Sequence, residues 1–368
     1  MGEFEIKQQQ IHSLLREENL DALVLTQVSS FAWATCGAPS WVSTAVVAGV
    51  ASLVVTPGKR YLITNNVEAP RLENEERLVA QGWELVVDPW WGTATQIGKL
   101  TQGLRVGADH PYPGTVNLSV EIARLRSRLT IGERDRFREV GRSCAEAVAA
   151  TMDSIRPGQT EWQIAGHLAS ECESRGIQAI VNLVGSDQRL FAYRHPIPKN
   201  KVVERYVMVV LCGRKWGMVA ALTRLVHFGP LSTELRRRAQ AVAQVDAAYI
   251  ANTRPGKTLG EALEAGKEAY AQAGFPDEWQ YHFQGGSCGY ETREISAIPG
   301  IQEPIELGQI YAWNPSVQGT KSEDTVIVAE TENEIITGIP GWPLVPVDYQ
   351  GKAYLRPAIK EILYAPSS

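Results

Sequence analysis

Proton transfer near neutral pH is imidazole chemistry, and this chain has six histidines to offer. Two stand in distinctive surroundings. His195 lies in RHPIP (194–198) and is followed at once by a proline turn, and His282 stands just ahead of the glycine-rich stretch GGSCGYETRE (285–294). His12, His110, His167 and His227 have no supporting context and read as structural. Cys288, inside the glycine-rich stretch, has the type of a nucleophile, but nothing adjacent would lower its pKa, so a small packing residue is the better reading. The five cysteines (Cys36, Cys144, Cys172, Cys212 and Cys288) show no CxxC spacing and read as reduced thiols rather than a disulfide frame.

These residues need elements to position them. The first stretch reads as an amphipathic helix (Ile6 to Glu18), a strand (Asp21 to Thr26), apolar runs at Thr44 to Pro57 and Arg60 to Thr64, a helical segment from Ala69, and then WELVV and GLRVGAD. Helices alternating with short apolar strands predict an α/β domain over residues 1–129. Charged residues from Glu133 to Arg142 open a long helix running to about Ile155, so a second domain covers 130–368, as 368 residues are long for one core. That second domain carries a repeat. RPGQT begins at Arg156 with Gly176 twenty residues on; RPGKT begins at Arg254 with Gly274 twenty residues on. Each threonine is placed to cap a helix and each later glycine to end it. An extended apolar hairpin follows each unit, from Val207 and from Gln309. Two related halves predict a ligand pocket on their shared face.

An α/β domain followed by a pseudo-two-fold α+β domain resembles the creatinase / aminopeptidase P / prolidase, or pita-bread, family. RHPIP is similar to that family's His-Pro segment, LTR (222–224) with Gly229 to its Asp-Ile-Thr-Arg…Gly stretch, and KSEDTVIV from Lys321 to its closing Arg-x-Glu-Asp-Thr-Val strand. The resemblance spans the whole chain. It implies a ribonuclease H-like creatinase N-terminal domain and a pita-bread C-terminal domain with an internal repeat. In metal-dependent members two Asp, one His and two Glu bridge two divalent ions. Matched position by position, these fall at Val210, Ala221, Gly286, Asn314 and Glu323, and only the last is a carboxylate. One carboxylate and one amide cannot hold two dications against hydration, so no metal and no other cofactor is expected.

The matched positions also imply roles for what remains. His195 falls where creatinase has its general acid/base, and His282 at the family's second substrate-side histidine; with Glu323 they form the expected catalytic set. Arg293, Glu294, Asn314, Trp313, Arg224 and Tyr290 are expected to contact substrate. Aromatic walls from Trp313 with Trp33, Trp41, Trp90 and Trp91 would suit a cationic or flat substrate, but tryptophans filling cores and subunit interfaces are the better reading. The expectation is a metal-independent hydrolase or lyase acting on a C–N bond of a small polar molecule. The alternatives are a non-catalytic binding scaffold and, disfavoured by ligand chemistry, an Xaa-Pro metallopeptidase. The net charge of −5 argues against nucleic acid or an anionic membrane as partner. With no signal-like or membrane-length apolar run, a cytoplasmic location is expected, and the resemblance implies a homodimer acting on a small molecule.

Overall fold

The computed structural model describes residues 2–92 and 95–363. By internal contacts the chain divides into two compact units, one of residues up to Gly132 with Trp216–Met218, the other of Glu133–Lys215 and the residues from Val219 onward.

The first unit is built on six strands: β1 (Ala22–Gln27), β2 (Ala48–Val55), β3 (Arg60–Asn65), β4 (Glu84–Asp88), β5 (Val106–Ala108) and β6 (Val116–Asn117). They pair in the order β4-β3-β2-β1-β5-β6. β1 runs antiparallel to β2 and parallel to β5, and five of its six residues are buried, the continuous apolar pattern of a strand covered on both faces. The apolar run from Thr44 contributes a strand only from Ala48. A helix at Val28–Ala34 was not expected: every residue of it is buried, so it lacks the polar face that gives a helix its periodic signature.

In the second unit the strands are β7 (Gln178–Ser186), β8 (Tyr206–Lys215), β9 (Met218–Phe228), β10 (Gly285–Cys288), β11 (Ile295–Ser296), β12 (Ile310–Trp313), β13 (Ser316–Val317), β14 (Thr320–Lys321), β15 (Asp324–Ile327), β16 (Glu334–Ile335), β17 (Leu344–Tyr349), β18 (Lys352–Pro357) and β19 (Lys360–Ile362). They form sheets ordered β19-β9-β8-β7 and β11-β10-β12-β15-β16, with two-stranded pieces β13-β14 and β17-β18. The repeat is plain in the hydrogen bonds. Thr160 and Thr258 each close a capping box, with Gln163 and Glu261, at the heads of helices Glu161–Glu173 and Leu259–Gln272. Each threonine also makes a lone antiparallel bridge, Thr160 to Val202 and Thr258 to Pro304. Gly176 and Gly274, at φ 68° and 81°, follow the helix ends.

The two hairpins diverge. β8 and β9 run on for ten and eleven residues, whereas the stretch from Gln309 is cut into β12, β13, β14 and β15, because Pro315 offers no N–H to continue the ladder. That interruption leaves Asn314 outside the strands, and Ser316 resumes pairing opposite Lys321 in the short β13-β14 piece. Helices Thr233–Asn252 and Leu259–Gln272 pack on this second half through Tyr249, Leu263, Tyr270, Trp313 and Val326. Gly266 permits the approach: a Cβ there would lie 2.1 Å from the Tyr249 ring. No helix among the described residues is long and apolar enough to cross a membrane.

Candidate functional site

The repeat brings its halves together at two imidazoles. His195 Nε2 lies 3.0 Å from His282 Nε2, the rings meeting edge to face with centroids 4.9 Å apart. The first half fixes the His195 segment from below. Glu161, the first residue of its capped helix, accepts from the Lys199 N–H and binds the Arg189 guanidinium, and the Trp162 indole donates to the Pro198 carbonyl. In the second half, His282 ends a 3₁₀ turn (Glu278–Tyr281), and buried Gln284 donates to the Trp279 and His282 carbonyls. His282 is buried and His195 keeps an exposed edge.

A buried polar chain leads away from the pair. Asn314 Nδ2 is 3.3 Å from His282 Nε2, Ser316 Oγ is 3.1 Å from His282 Nδ1, and Arg194 donates to Ser316 Oγ at 3.1 Å while pairing with Glu278. On the far side Arg293 donates to Asn314 Oδ1 at 3.2 Å and lies 3.6 Å from Glu323 Oε1. Glu323 Oε2 meets Lys321 Nζ at 2.8 Å and accepts from the Thr223 hydroxyl at 2.7 Å.

This chain has a direction. A guanidinium can only donate, so Arg293 turns the Asn314 carbonyl toward itself and the amide N–H₂ toward His282. On that orientation His282 Nε2 accepts from Asn314, a proton on its Nδ1 faces Ser316 Oγ, and an Nε2–H on His195 shares the same His282 lone pair. His195 Nδ1 is left as a bare basic nitrogen.

The charges agree with that assignment. Burial alone would raise the Glu323 carboxyl, but Lys321 and Arg293 hold it below the ordinary range. Burial, then Lys321, His195 and the neighbouring arginines, drives His282 down to about 2; burial and Lys321 lower His195 against the opposing pull of Glu323. Both imidazoles thus stay neutral where the unfolded chain would take up protons. Stability on this account is complete above the ordinary imidazole value of 6.5 and falls as the pH drops below it. For His282 the slope is about 1.4 kcal/mol per pH unit. The urea stability of the protein is expected to fall by about 2 kcal/mol from pH 7 to pH 5 on this account, and less in His282→Gln. Parallel losses in both proteins would contradict the assignment.

Several residues expected at the site lie elsewhere. Trp313 is no wall: its ring stacks on Tyr249 at 4.2 Å and its N–H donates to Thr253, inside the core. Arg224 is buried against Asp324 and the Thr337 carbonyl. The Tyr290 hydroxyl donates to Glu133, and the Glu294 carboxylate accepts the N–H groups of Tyr290 and Glu291, which holds its own turn. Cys288 is buried, and burial pushes its thiol up to about 12. Conversely Lys321, Ser316, Thr223 and Arg194 belong to the cluster and were not anticipated. A usable signal existed: Lys321 and Ser316 stand two residues from Glu323 and Asn314, the spacing that puts side chains on one face of an extended chain.

The five matched metal-ligand positions do not fit a metal pair. Val210 packs with Tyr206, Met208, Leu225 and Ile359. Ala221 exchanges two 2.8 Å hydrogen bonds with the Thr325 hydroxyl through its backbone. Gly286 holds φ +153°, with a carbonyl 2.1 Å from where a Cβ would be. Asp246, the nearest following aspartate, is on a helix and bound to Arg356 and Ser322. Glu323, the surviving carboxylate, is already engaged by two cations and a hydroxyl. Among the described residues no three His, Cys, Asp or Glu side chains could hold a metal ion together.

The profile of metallopeptidase family M24 matches residues 135–332, more than half of the chain. The chain belongs to metallopeptidase family M24. Among relatives of this M24 chain, the agropine synthesis cyclase of Rhizobium rhizogenes is 28% identical over 216 residues, covering 52% of this chain and 54% of that protein. The match thus spans about half the length of that relative. Among solved structures, the prolidase from Pyrococcus horikoshii OT3 aligns with TM-score 0.77 at 16% identity, covering 90% of this chain and 98% of that one. The Xaa-Pro dipeptidase from Bacillus anthracis aligns with TM-score 0.75 at 18% identity, over 98% and 100%. The pita-bread fold and the family are those expected, and of the five matched ligand positions only Glu323 keeps a carboxylate. Elemental analysis after dialysis is therefore expected to find less than one Mn, Co or Zn per chain, and Xaa-Pro dipeptides to stay intact with added Mn²⁺. About two ions per chain, or chelator-sensitive cleavage, would overturn this.

Proposed function

We infer that this M24 chain is a metal-independent, creatinase-like enzyme acting at the C–N bond of a small polar molecule, with His195 as the proton shuttle. What carries the reading is the 3.0 Å contact of His195 with His282, held in one polarity by Asn314 and Ser316. In a hydrolysis, His195 Nδ1 takes a proton from the attacking water as its oxygen bonds to the carbon, then returns that proton to the leaving nitrogen as the C–N bond breaks. An elimination uses the same proton inventory, with a C–H in place of water. Arg293 and Lys321 exceed Glu323 by one positive charge, which suits an oxygen that gains negative charge at the reacting carbon.

The relative named a cyclase fits the same inventory. When the nucleophile belongs to the substrate itself, the sequence of transfers closes a ring, and no metal-bound hydroxide is needed.

The reading requires a basic His195 Nδ1, which is measurable without a substrate. In ¹⁵N-histidine spectra at pH 7.5, His195 is expected as the Nε2–H tautomer and His282 as the Nδ1–H tautomer. Asn314→Asp, which replaces the donor facing His282 by an acceptor, is expected to move the His282 proton to Nε2. Finding His195 protonated on Nδ1 in the parent protein would sink the mechanism.

A further inference from the structure

Thr223 and Glu323 touch each other in the catalytic cluster, while the next residues along the chain, Arg224 and Asp324, pair with one another. Alternation along extended chain directs successive side chains to opposite faces, and on this other face there is a cavity of about 410 Å³. Arg224 and Asp324 line it; none of His195, His282, Asn314, Arg293 or Lys321 does. The volume is that of a small-molecule site.

Its walls are chiefly apolar, with Ile250, Ile339, Trp342 and Leu344 among them. Its charges nearly cancel. Arg224 and Arg356 are bound by Asp324, Arg356 also by Asp246, and Glu332 lies 3.7 Å from Lys352. Arg254 is the exception. It donates to the Asn333 side chain at 3.1 Å and to the Ala251 carbonyl at 3.3 Å, and among the described residues no carboxylate pairs with it. Arg254 opens the second RPG-x-T motif; like Arg156 in the first copy it donates to the carbonyl three residues back, but it adds the Asn333 side chain where Arg156 adds the Ile155 carbonyl. A half-buried guanidinium with no counter-ion, facing a cavity with apolar walls, asks for an anion that brings apolar surface with it.

We propose that this cavity binds a small organic carboxylate with a compact apolar body, the carboxylate on Arg254 and the body against Ile339, Trp342 and Leu344. The site is separate from the histidine cluster and does not depend on the catalytic reading.

Calorimetry with phenylacetate, its neutral isostere phenylacetamide and inorganic sulfate tests it on the intact protein. Phenylacetate is expected to bind one per chain, with phenylacetamide and sulfate at least tenfold weaker. Arg254→Met is expected to weaken phenylacetate at least tenfold and Arg254→Lys less. Leu344→Trp, which fills the cavity from its rim, should block binding without touching the cation, and serves if Arg254→Met does not fold. His195→Ala is expected to leave the affinity unchanged. Equal binding of phenylacetamide or sulfate, indifference to Arg254→Met or to Leu344→Trp, loss on His195→Ala, or no phenylacetate binding at millimolar concentration would each overturn the proposal.

Discussion

His195→Ala is expected to lower turnover by about 10²-fold or more, against a several-fold change for Cys288→Ala. The substrate for this comparison comes from screening small amides, ureas, guanidino acids and betaines. On the metal-independent reading proposed above, nothing at the matched positions would acidify water or polarise a carbonyl as a dication does, so proton transfer would carry a larger share of the barrier. Of the two clustered histidines His195 is the one with an exposed edge, and on the proposed tautomer its Nδ1 is the basic nitrogen left over from the internal chain. Cys288 is 1% exposed with its thiol pushed up to about 12, conditions under which a thiolate is scarce. The rate should hold through neutral pH and fall on the acid side, below the ordinary imidazole range, because the working form is the neutral base. The opposite ranking of the two variants would replace this mechanism by a thiol one. A rate that rises as the pH falls through that range would make His195 an acid rather than a base.

Glu323→Gln is expected to cost about 3–5 kcal/mol of stability, the usual penalty for removing one partner of a buried ion pair. Lys321 Nζ and Glu323 Oε2 are 2.8 Å apart with both side chains 3% exposed, and Arg293 adds a second cation 3.6 Å away. A neutral amide leaves those two cations facing each other with no compensating charge. Replacing both members, Lys321→Met with Glu323→Leu, should be much less damaging than Glu323→Gln alone, since it removes the desolvated charges together. Urea unfolding of the three proteins measures this. If the double variant were the least stable, the pair would be worth more than its desolvation cost and its purpose would be cohesion rather than electrostatics.

What could be read in advance was local or inherited through position. The capping boxes at Thr160 and Thr258 follow from a threonine and a glutamine or glutamate three residues apart, and both formed. The meeting of His195 and His282 followed from the repeat and the family pattern. Burial partners were not legible. Trp313 adjoins Asn314 in sequence, but on a strand its ring takes the opposite face and falls to Tyr249. Tyr290 and Arg224 were claimed by Glu133 and Asp324 across long sequence separations. Lys321 was passed over because it stands at the arginine of a familiar strand motif; only the fold reveals that its ammonium closes on Glu323.

The backbone at Gly286 makes it the hardest of the matched positions to turn into a metal ligand. Val210, Ala221 and Asn314 could each be rewritten by a single codon, yet a histidine at 286 would drive its Cβ into the Ile295 carbonyl, 2.1 Å away, at a φ of +153° that side chains rarely adopt. Reversion therefore needs β10 and β11 to separate before any ligand is restored, and intermediates on that route would carry the disruption without the metal to compensate for it. Grafting the four missing ligand residues onto this scaffold should yield a damaged sheet rather than a peptidase.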